Sequence, residues 1–177
     1  MDNFNEDVRL ARSGDAQAFA RLYSGIYKEL YRTALMGLRS SQDAQDAVSE
    51  AVLDAFTGMK RLRSNEAFRA WIFKILAIKI KRKQREYLNA RNEDVYEHED
   101  AAQTETDIFS VEVSEAMEKL SGDERLVISL CAVNGYSSEQ IARITGLKAS
   151  SVRSKLSRAR GKLVEELFPE KKRGELL

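Results

Sequence analysis

Cysteine occurs once in the 177 residues, at Cys131, and proline once, at Pro169. Glycine is sparse and histidine single. Each scarcity excludes something. One thiol closes no internal disulfide, so the cross-linked scaffold of small secreted domains is ruled out. Cys131 stands in the apolar run "LVISLCAV" and is expected to be a buried small hydrophobe. A lone His98 in an acidic stretch and a lone cysteine leave no nucleophile–base pair and no metal-ligating cluster. There is no glycine-rich phosphate loop. No catalytic residue, cofactor, metal or small-molecule substrate is therefore expected. No apolar run approaches the roughly 18 residues of a membrane span. The start, "MDNFNEDVRL", is acidic and lacks the apolar core of a signal peptide. The expectation is a cytoplasmic protein.

Net charge is also nearly absent, at +1 from 29 basic and 28 acidic residues. The total says nothing about a polyanionic partner, so the distribution of charge has to. Strand-like alternation between turn residues is hard to find, while long runs rich in Ala, Leu, Ile, Arg, Lys and Glu are common. The chain reads as all-α. A short helix from Asn5 to Arg12 is expected, then one from Asp15 to Leu38 with a wide apolar face, then one opening at Ser41 as N-cap. In that third helix Ala44, Ala47, Val48, Ala51, Val52, Ala55 and Phe56 form a stripe of mostly small residues. The other side carries Gln45, Asp46, Ser49, Glu50 and Asp54. A connector at 61–65 leads to a helix from Glu66 to Leu88 whose buried side is Phe68, Trp71, Ile72, Ile75 and Leu76. Phe68 and Trp71 could stack a base, but their spacing with Ile72 and Ile75 favours core packing. The later half of this helix is basic, with Lys79, Lys81, Arg82, Lys83 and Arg85.

The composition then flips. From Glu93 to Glu118 there are ten Asp or Glu and no Lys or Arg. Residues 92–110 read as a flexible acidic linker between two small helical domains, 1–91 and 111–168, with a charged tail at 169–177. In the second block, Asn134-Gly135 and Gly146 read as helix stops. Ser137 with Gln140 fits a capping box. Two short helices joined by a glycine-containing turn form a helix-turn-helix. In the last helix, from about Ala149 to Leu167, Val152, Leu156, Ala159 and Leu163 make the apolar stripe. Between Lys148 and Leu163 there are six basic residues and no acidic one. Like charges so close repel by a few tenths of a kcal/mol per pair, a penalty that a polyanion reverses. Lys148 stands where a capping Ser or Asp is expected, which allows a start at Ser150.

Both blocks together resemble one family, the extracytoplasmic-function group of the sigma-70 family of bacterial transcription initiation subunits. "GDAQAFARLYSGIYKELYRTAL", "SQDAQDAVSEAVLDAF" and "FRAWIFKIL" resemble its region two. "AMEKLSGDERLVISLCAVNGYSSEQIARITGLKASSVRSKLSRARGKL" resembles its region four. The resemblance implies a sigma factor that binds core RNA polymerase and directs recognition of promoter DNA. It implies docking of Asp43, Asp46, Ser49, Glu50 and Asp54 on the clamp helices of the largest subunit. It implies a minus-ten surface at Arg61, Arg63, Ser64, Asn65, Lys74, Lys81, Arg82 and Arg85, where an asparagine common in the family is replaced by Ile78. Region four would touch the flap of the second-largest subunit. Its minus-thirty-five surface would comprise Ser150, Ser151, Arg153, Ser154, Lys155, Ser157, Arg158 and Arg160. Arg153, Ser154, Ser157 and Arg158 would be at or near the bases, and Lys155, Arg160 and Lys162 at phosphates. An anti-sigma factor is implied as a further partner. A stand-alone helix-turn-helix regulator is the alternative, but it would need a ligand or receiver module that the first block does not resemble. A helical adaptor whose basic helices hold an acidic protein is a further one.

Overall fold

A computed structural model of the chain describes residues 2–92 and 110–169. Most of the acidic linker, with His98, and the tail from 170 lie outside the described residues. The elements are α1 (Asp2–Ser13), α2 (Ala16–Leu38), α3 (Ser41–Gly58), a 3-10 turn (Met59–Arg61), α4 (Phe68–Asn92), α5 (Val111–Glu118), α6 (Gly122–Asn134), α7 (Ser138–Thr145) and α8 (Ala149–Leu167). Among the described residues there is no strand, in line with the all-α expectation.

Local chemistry sets the helix ends. The Asp15 carboxylate accepts from the N–H groups of Gln17 and Ala18 and starts α2. The cap of α3 is Ser40 rather than Ser41. Ser40 is extended and its hydroxyl accepts from the Asp43 N–H, while Ser41 is already helical. Gly135 and Gly146 close α6 and α7 in the left-handed conformation, at φ 68° and 73°. Ser137 and Gln140 form the expected capping box. A second box at the start of α6, Ser121 with Glu124, was not anticipated. The 64–67 segment is a turn, with the Phe68 N–H donating to Asn65 O at 3.2 Å, so α4 starts two residues later than expected.

Ala44, Ala47, Ala51 and Ala55 of α3 are wholly buried, and their small size lets α4 lie close across them. Phe68, Ile72 and Leu76 of α4 are buried as expected, but Trp71 and Ile75 are only half-buried. Phe73 and Ile80, absent from the expected face, are fully buried. The reason is that α4 is packed on two sides, by α2 and α3 and by α6 and α7. Its apolar surface is therefore wider than one stripe. Cys131 is half-buried rather than buried.

The two blocks close on one another in a single buried cluster. Polar contacts cross the seam. Gln84 Nε2 donates across it to Gly122 O at 2.9 Å, and within its own block to Gly37 O at 3.0 Å. A Cβ at Gly122 would stand 2.9 Å from Gln84 Cδ, so a larger residue there would push the Gln84 amide aside. Asn134 Nδ2 donates to Thr33 Oγ1 at 2.9 Å, and Arg125 Nε to Gly37 O at 3.2 Å. Lys81 Nζ donates to Thr145 O at 2.7 Å, at the end of α7. Phe73 meets Tyr136 edge-on at 5.7 Å.

Candidate nucleic-acid interface

The α7–Gly146–α8 unit is the helix-turn-helix expected from sequence. Ile141 and Ile144 of α7 are buried with Val152, Leu156 and Ala159 of α8. The helix begins at Ala149, with Lys148 as a cap residue whose side chain accepts no bond. A helix advances about 100° per residue, which sorts the polar residues of α8 into two faces. Ser150, Arg153, Ser154, Ser157 and Arg160 are exposed and lie opposite the core or beside that direction. Ser151, Lys155, Arg158 and Lys162 share another face, bordering the core on the side of α6.

That second face is engaged by the start of α6. Lys155 Nζ stands 2.9 Å from Asp123 Oδ2. Arg158 Nε donates to Glu124 Oε1 at 3.3 Å, and Lys162 Nζ to Glu124 Oε2 at 2.7 Å. Glu124 also accepts the Ser121 N–H at 2.9 Å. Its side chain is 5% exposed while that of Arg158 is 58% exposed. Burial alone pushes the Glu124 carboxyl up. The Lys162 ammonium, the Ser121 N–H and the Arg158 guanidinium more than offset this and hold it at about 2. On the outward face, Arg153 meets Glu139 at 3.2 Å with both side chains largely in solvent. Arg160 has only a weak contact, 3.4 Å, with Cys131 Sγ.

The residues expected at the minus-ten surface divide in a similar way. Arg61, Arg63 and Lys74 are exposed, and Ser64 is half-buried. Arg85 is exposed, its Nε 3.4 Å from Lys81 O. Asn65 ties the connector to α1, accepting from Arg12 at 3.0 Å and donating to Asn5 O at 3.3 Å. Lys81 is held at Thr145 O in the arrangement above. Arg82 donates to both oxygens of Glu50, at 2.7 and 2.8 Å. Phe68 is wholly buried and so unable to stack a base in this arrangement, while Trp71 is half-buried over Gly58. Ile78 is 55% exposed.

The acids of α3 face the basic half of α4 in antiparallel order. Asp54 pairs with Lys79 at 2.5 Å, Glu50 with Lys79 at 3.5 Å, and Asp43 with Lys83 at 3.0 Å. Tyr87 donates to Asp43. Burial raises the Asp43 carboxyl, but Tyr87, Lys83 and Ser40 bring it below its ordinary value. Glu50 is lowered by the Arg82 hydrogen bond. Asp46 accepts from Gln42 at 3.2 Å, and Ser49 is exposed. Sequence reasoning missed Lys79, Lys83 and Tyr87 as partners of these acids. No signal along either helix announces this pairing, because it runs between α3 and α4 and not along one helix. Sequence reasoning also missed Asp123 and Glu124.

Among the described residues no group of acids, Cys and His could hold a metal, and no helix is long and apolar enough to cross a membrane.

Comparison with known proteins fits both blocks. Residues 19–87 match the family described as sigma-70 region 2, and residues 110–163 match sigma-70, region 4. The ECF RNA polymerase sigma factor SigM of Mycobacterium tuberculosis is 31% identical over 159 residues, covering 88% of this chain and 80% of that protein. The RNA polymerase sigma factor SigV of Bacillus subtilis is 29% identical, covering 75% and 80%. The solved structure of CnrH in complex with the cytosolic domain of CnrY superposes with a TM-score of 0.71. Its identity is 27%, with 93% of this chain and 97% of that chain covered. The sigma factor RpoE of Bartonella quintana, in complex with the anti-sigma factor NepR, shares the fold at a TM-score of 0.74. Its identity is 24%, with 86% and 98% covered.

Proposed function

The chain belongs to the extracytoplasmic-function group of the sigma-70 family, and from that premise we propose how its surfaces divide the work. It is a sigma factor directing transcription initiation. It acts in the cytoplasm, has no catalysis of its own, and serves as a specificity subunit of core RNA polymerase. The observation that carries the reading is the pairing, in one chain, of region 2 with a region 4 whose last helix, α8, turns a polar, arginine-bearing face to solvent.

Three surfaces follow. The α3 face with Asp43, Asp46, Ser49, Glu50 and Asp54 docks on the clamp helices of the largest polymerase subunit. Most of its acids are exposed or half-exposed, and surface ion pairs of that kind, worth about 0–1 kcal/mol each, exchange partners readily. The connector and α4, through Arg61, Arg63, Ser64, Asn65, Lys74, Lys81, Arg82 and Arg85, follow the backbone of the minus-ten element. Single-stranded DNA needs positive charge along its path, and Arg61, Arg63, Lys74 and Arg85 supply it without any rearrangement. The α8 helix enters the major groove of the minus-thirty-five element, with α5–α8 meeting the flap of the second-largest subunit. Two elements read at once require the blocks to part. Lys81 and Gln84 then leave the carbonyls they hold across the seam, which frees Lys81 for DNA. An anti-sigma factor that keeps the blocks together would silence both surfaces.

The test is assembly and initiation. The purified chain is expected to co-elute with core RNA polymerase and to start transcripts from a cognate promoter found by mapping the transcripts its overproduction induces. A folded chain that does neither refutes the reading.

A further inference from the structure

We propose that Glu124 is a positioning residue of the DNA-reading helix, and that promoter base selection rests on Arg153, Ser154 and Ser157. Lys155, Arg158 and Lys162 orient α8 instead of touching DNA. This rests on the reading of α8 given above and redraws its contact set.

Capping does not need a charge at position 124. In α7 the same third-position role is filled by Gln140, whose Oε1 accepts the Ser137 N–H at 2.8 Å. A glutamine at the start of α6 would do as well. The carboxylate at 124 is nevertheless buried, and it carries two cations of α8 in addition to the cap bond. Burying a carboxylate is unfavourable unless it is paired and hydrogen-bonded. Its pairing is supplied by residues one turn apart on a single face of α8, and Asp123 takes Lys155 on that face too. Three attachments along eight residues, Lys155 to Lys162, fix the rotation of α8 about its axis. Rotation decides which side chains meet base edges, because a helix in the major groove presents only a narrow front.

With α8 so fixed, the front is Ser150, Arg153, Ser154 and Ser157. Arg153 is restrained only by the solvent-exposed Glu139 pair, which DNA displaces at little expense. Ser154 donates to Ser150 O at 3.0 Å and keeps its lone pairs outward to accept from a base amino group. Arg160, at the edge of this face, meets phosphate. The Arg158 guanidinium, though exposed, leaves the helix toward α6.

The experiment uses the full chain assembled on core RNA polymerase, a randomised duplex DNA library, and binding measured against salt. Each phosphate-bound cation contributes about 0.9 to the slope of log K against log salt. Arg158→Ala is expected to leave both the selected sequence and the slope unchanged. Arg153→Ala is expected to lose a preferred base and to reduce the slope by up to about 1. Ser154→Ala and Ser157→Ala are expected to relax preference at single positions with an unaltered slope. Glu124→Gln releases two cations. It is expected to bind random duplexes several-fold more tightly, to steepen the slope by about 1–2, and to blur the selected sequence. A merely structural glutamate would weaken binding without steepening the slope. Should Glu124→Gln fail to fold, Arg158→Ala with Lys162→Ala decides alone: loss of a preferred base or a slope lower by about 1–2 overturns the proposal. Wild-type assemblies that initiate transcription yet show Arg158→Ala relaxing base choice overturn it while leaving the sigma-factor reading intact. Wild-type assemblies that select no duplex overturn both.

Discussion

The helices α4 and α8 carry the same signature in sequence, a run of lysine and arginine, yet the fold handles the two runs differently. In α4, Lys79, Arg82 and Lys83 are met by acids of α3, the next helix back along the chain. Glu50 and Asp54 are 40% and 52% exposed, so the acid side of their pairs lies in solvent where Coulomb attraction is weak and screened, while Asp43–Lys83 is more enclosed, at 23% and 20%. In α8, two cations converge on one carboxylate that is 5% exposed. The first arrangement can be exchanged for contacts to another molecule. The second cannot be broken without leaving a buried charge. A run of like charge is therefore not yet a binding surface. What matters is which of its members other elements have already taken, and how deeply.

The two helices also differ in how far they are enclosed, and this gives the largest expected effect. Phe73 of α4 is wholly buried, against Tyr136 of the other block. Phe73→Ala is expected to lower stability by about 3–5 kcal/mol in denaturant melts. Leu156→Ala in α8 falls at the lower end of about 2–5 kcal/mol, because α8 is open to solvent on one side and can relax. Equal losses would mean that the seam between the blocks adds nothing to the burial of α4.

Next in size is the charge pair itself. Glu124→Gln keeps the cap bond and loses two charge-assisted bonds, so a loss of about 1–3 kcal/mol is expected at neutral pH. The pH dependence has a definite sign. The folded carboxyl is held at about 2, below its ordinary 4.5, so its contribution is complete above about 4.5. It fades as pH falls from there through about 2. Melts of wild type and Glu124→Gln should converge over that window, and a gap that persists at pH 2 would assign the effect to packing.

Much of this was legible in the sequence. The helices follow apolar spacing, and Gly135, Gly146 and the Ser137–Gln140 box lie where turn and capping chemistry put them. Of the α8 stripe, Val152, Leu156 and Ala159 are buried as spaced and Leu163 is half-buried. What was not legible depends on contacts between elements distant in sequence. Phe73 and Ile80 fall off the expected stripe because a second layer covers α4, and periodicity reports one face at a time. The Ser121–Glu124 box could have been read from spacing, as Ser137–Gln140 was. That Glu124 also receives Arg158 and Lys162 could not, because nothing in one helix announces which way its neighbour is rotated. Arg158 and Arg153 look alike in sequence and differ only in that rotation.

The smallest expected effect on stability tests the same comparison from the exposed side. Glu50 touches Lys79 and Arg82, as many cations as Glu124 does, so counting contacts would rank the two glutamates together. Exposure ranks them apart. Glu50→Gln is expected to change stability by less than about 1 kcal/mol, since Lys79 keeps Asp54 at 2.5 Å, Arg82 returns to water, and an exposed pair is worth about 0–1 kcal/mol. High salt should erase even that difference, whereas the buried pair at Glu124 is screened much less. Charge reversal separates stability from function. Asp46→Arg with Glu50→Arg is expected to leave the melt within about 1–2 kcal/mol of wild type, since it places like charges beside Arg82 at an exposed site. The same variant is expected to abolish co-elution with core RNA polymerase. A variant that assembles normally would remove α3 from the docking surface. One that fails to fold would mean that the α3–α4 pairs hold the structure as firmly as Glu124 does, and the distinction between exchangeable and fixed pairs would fall.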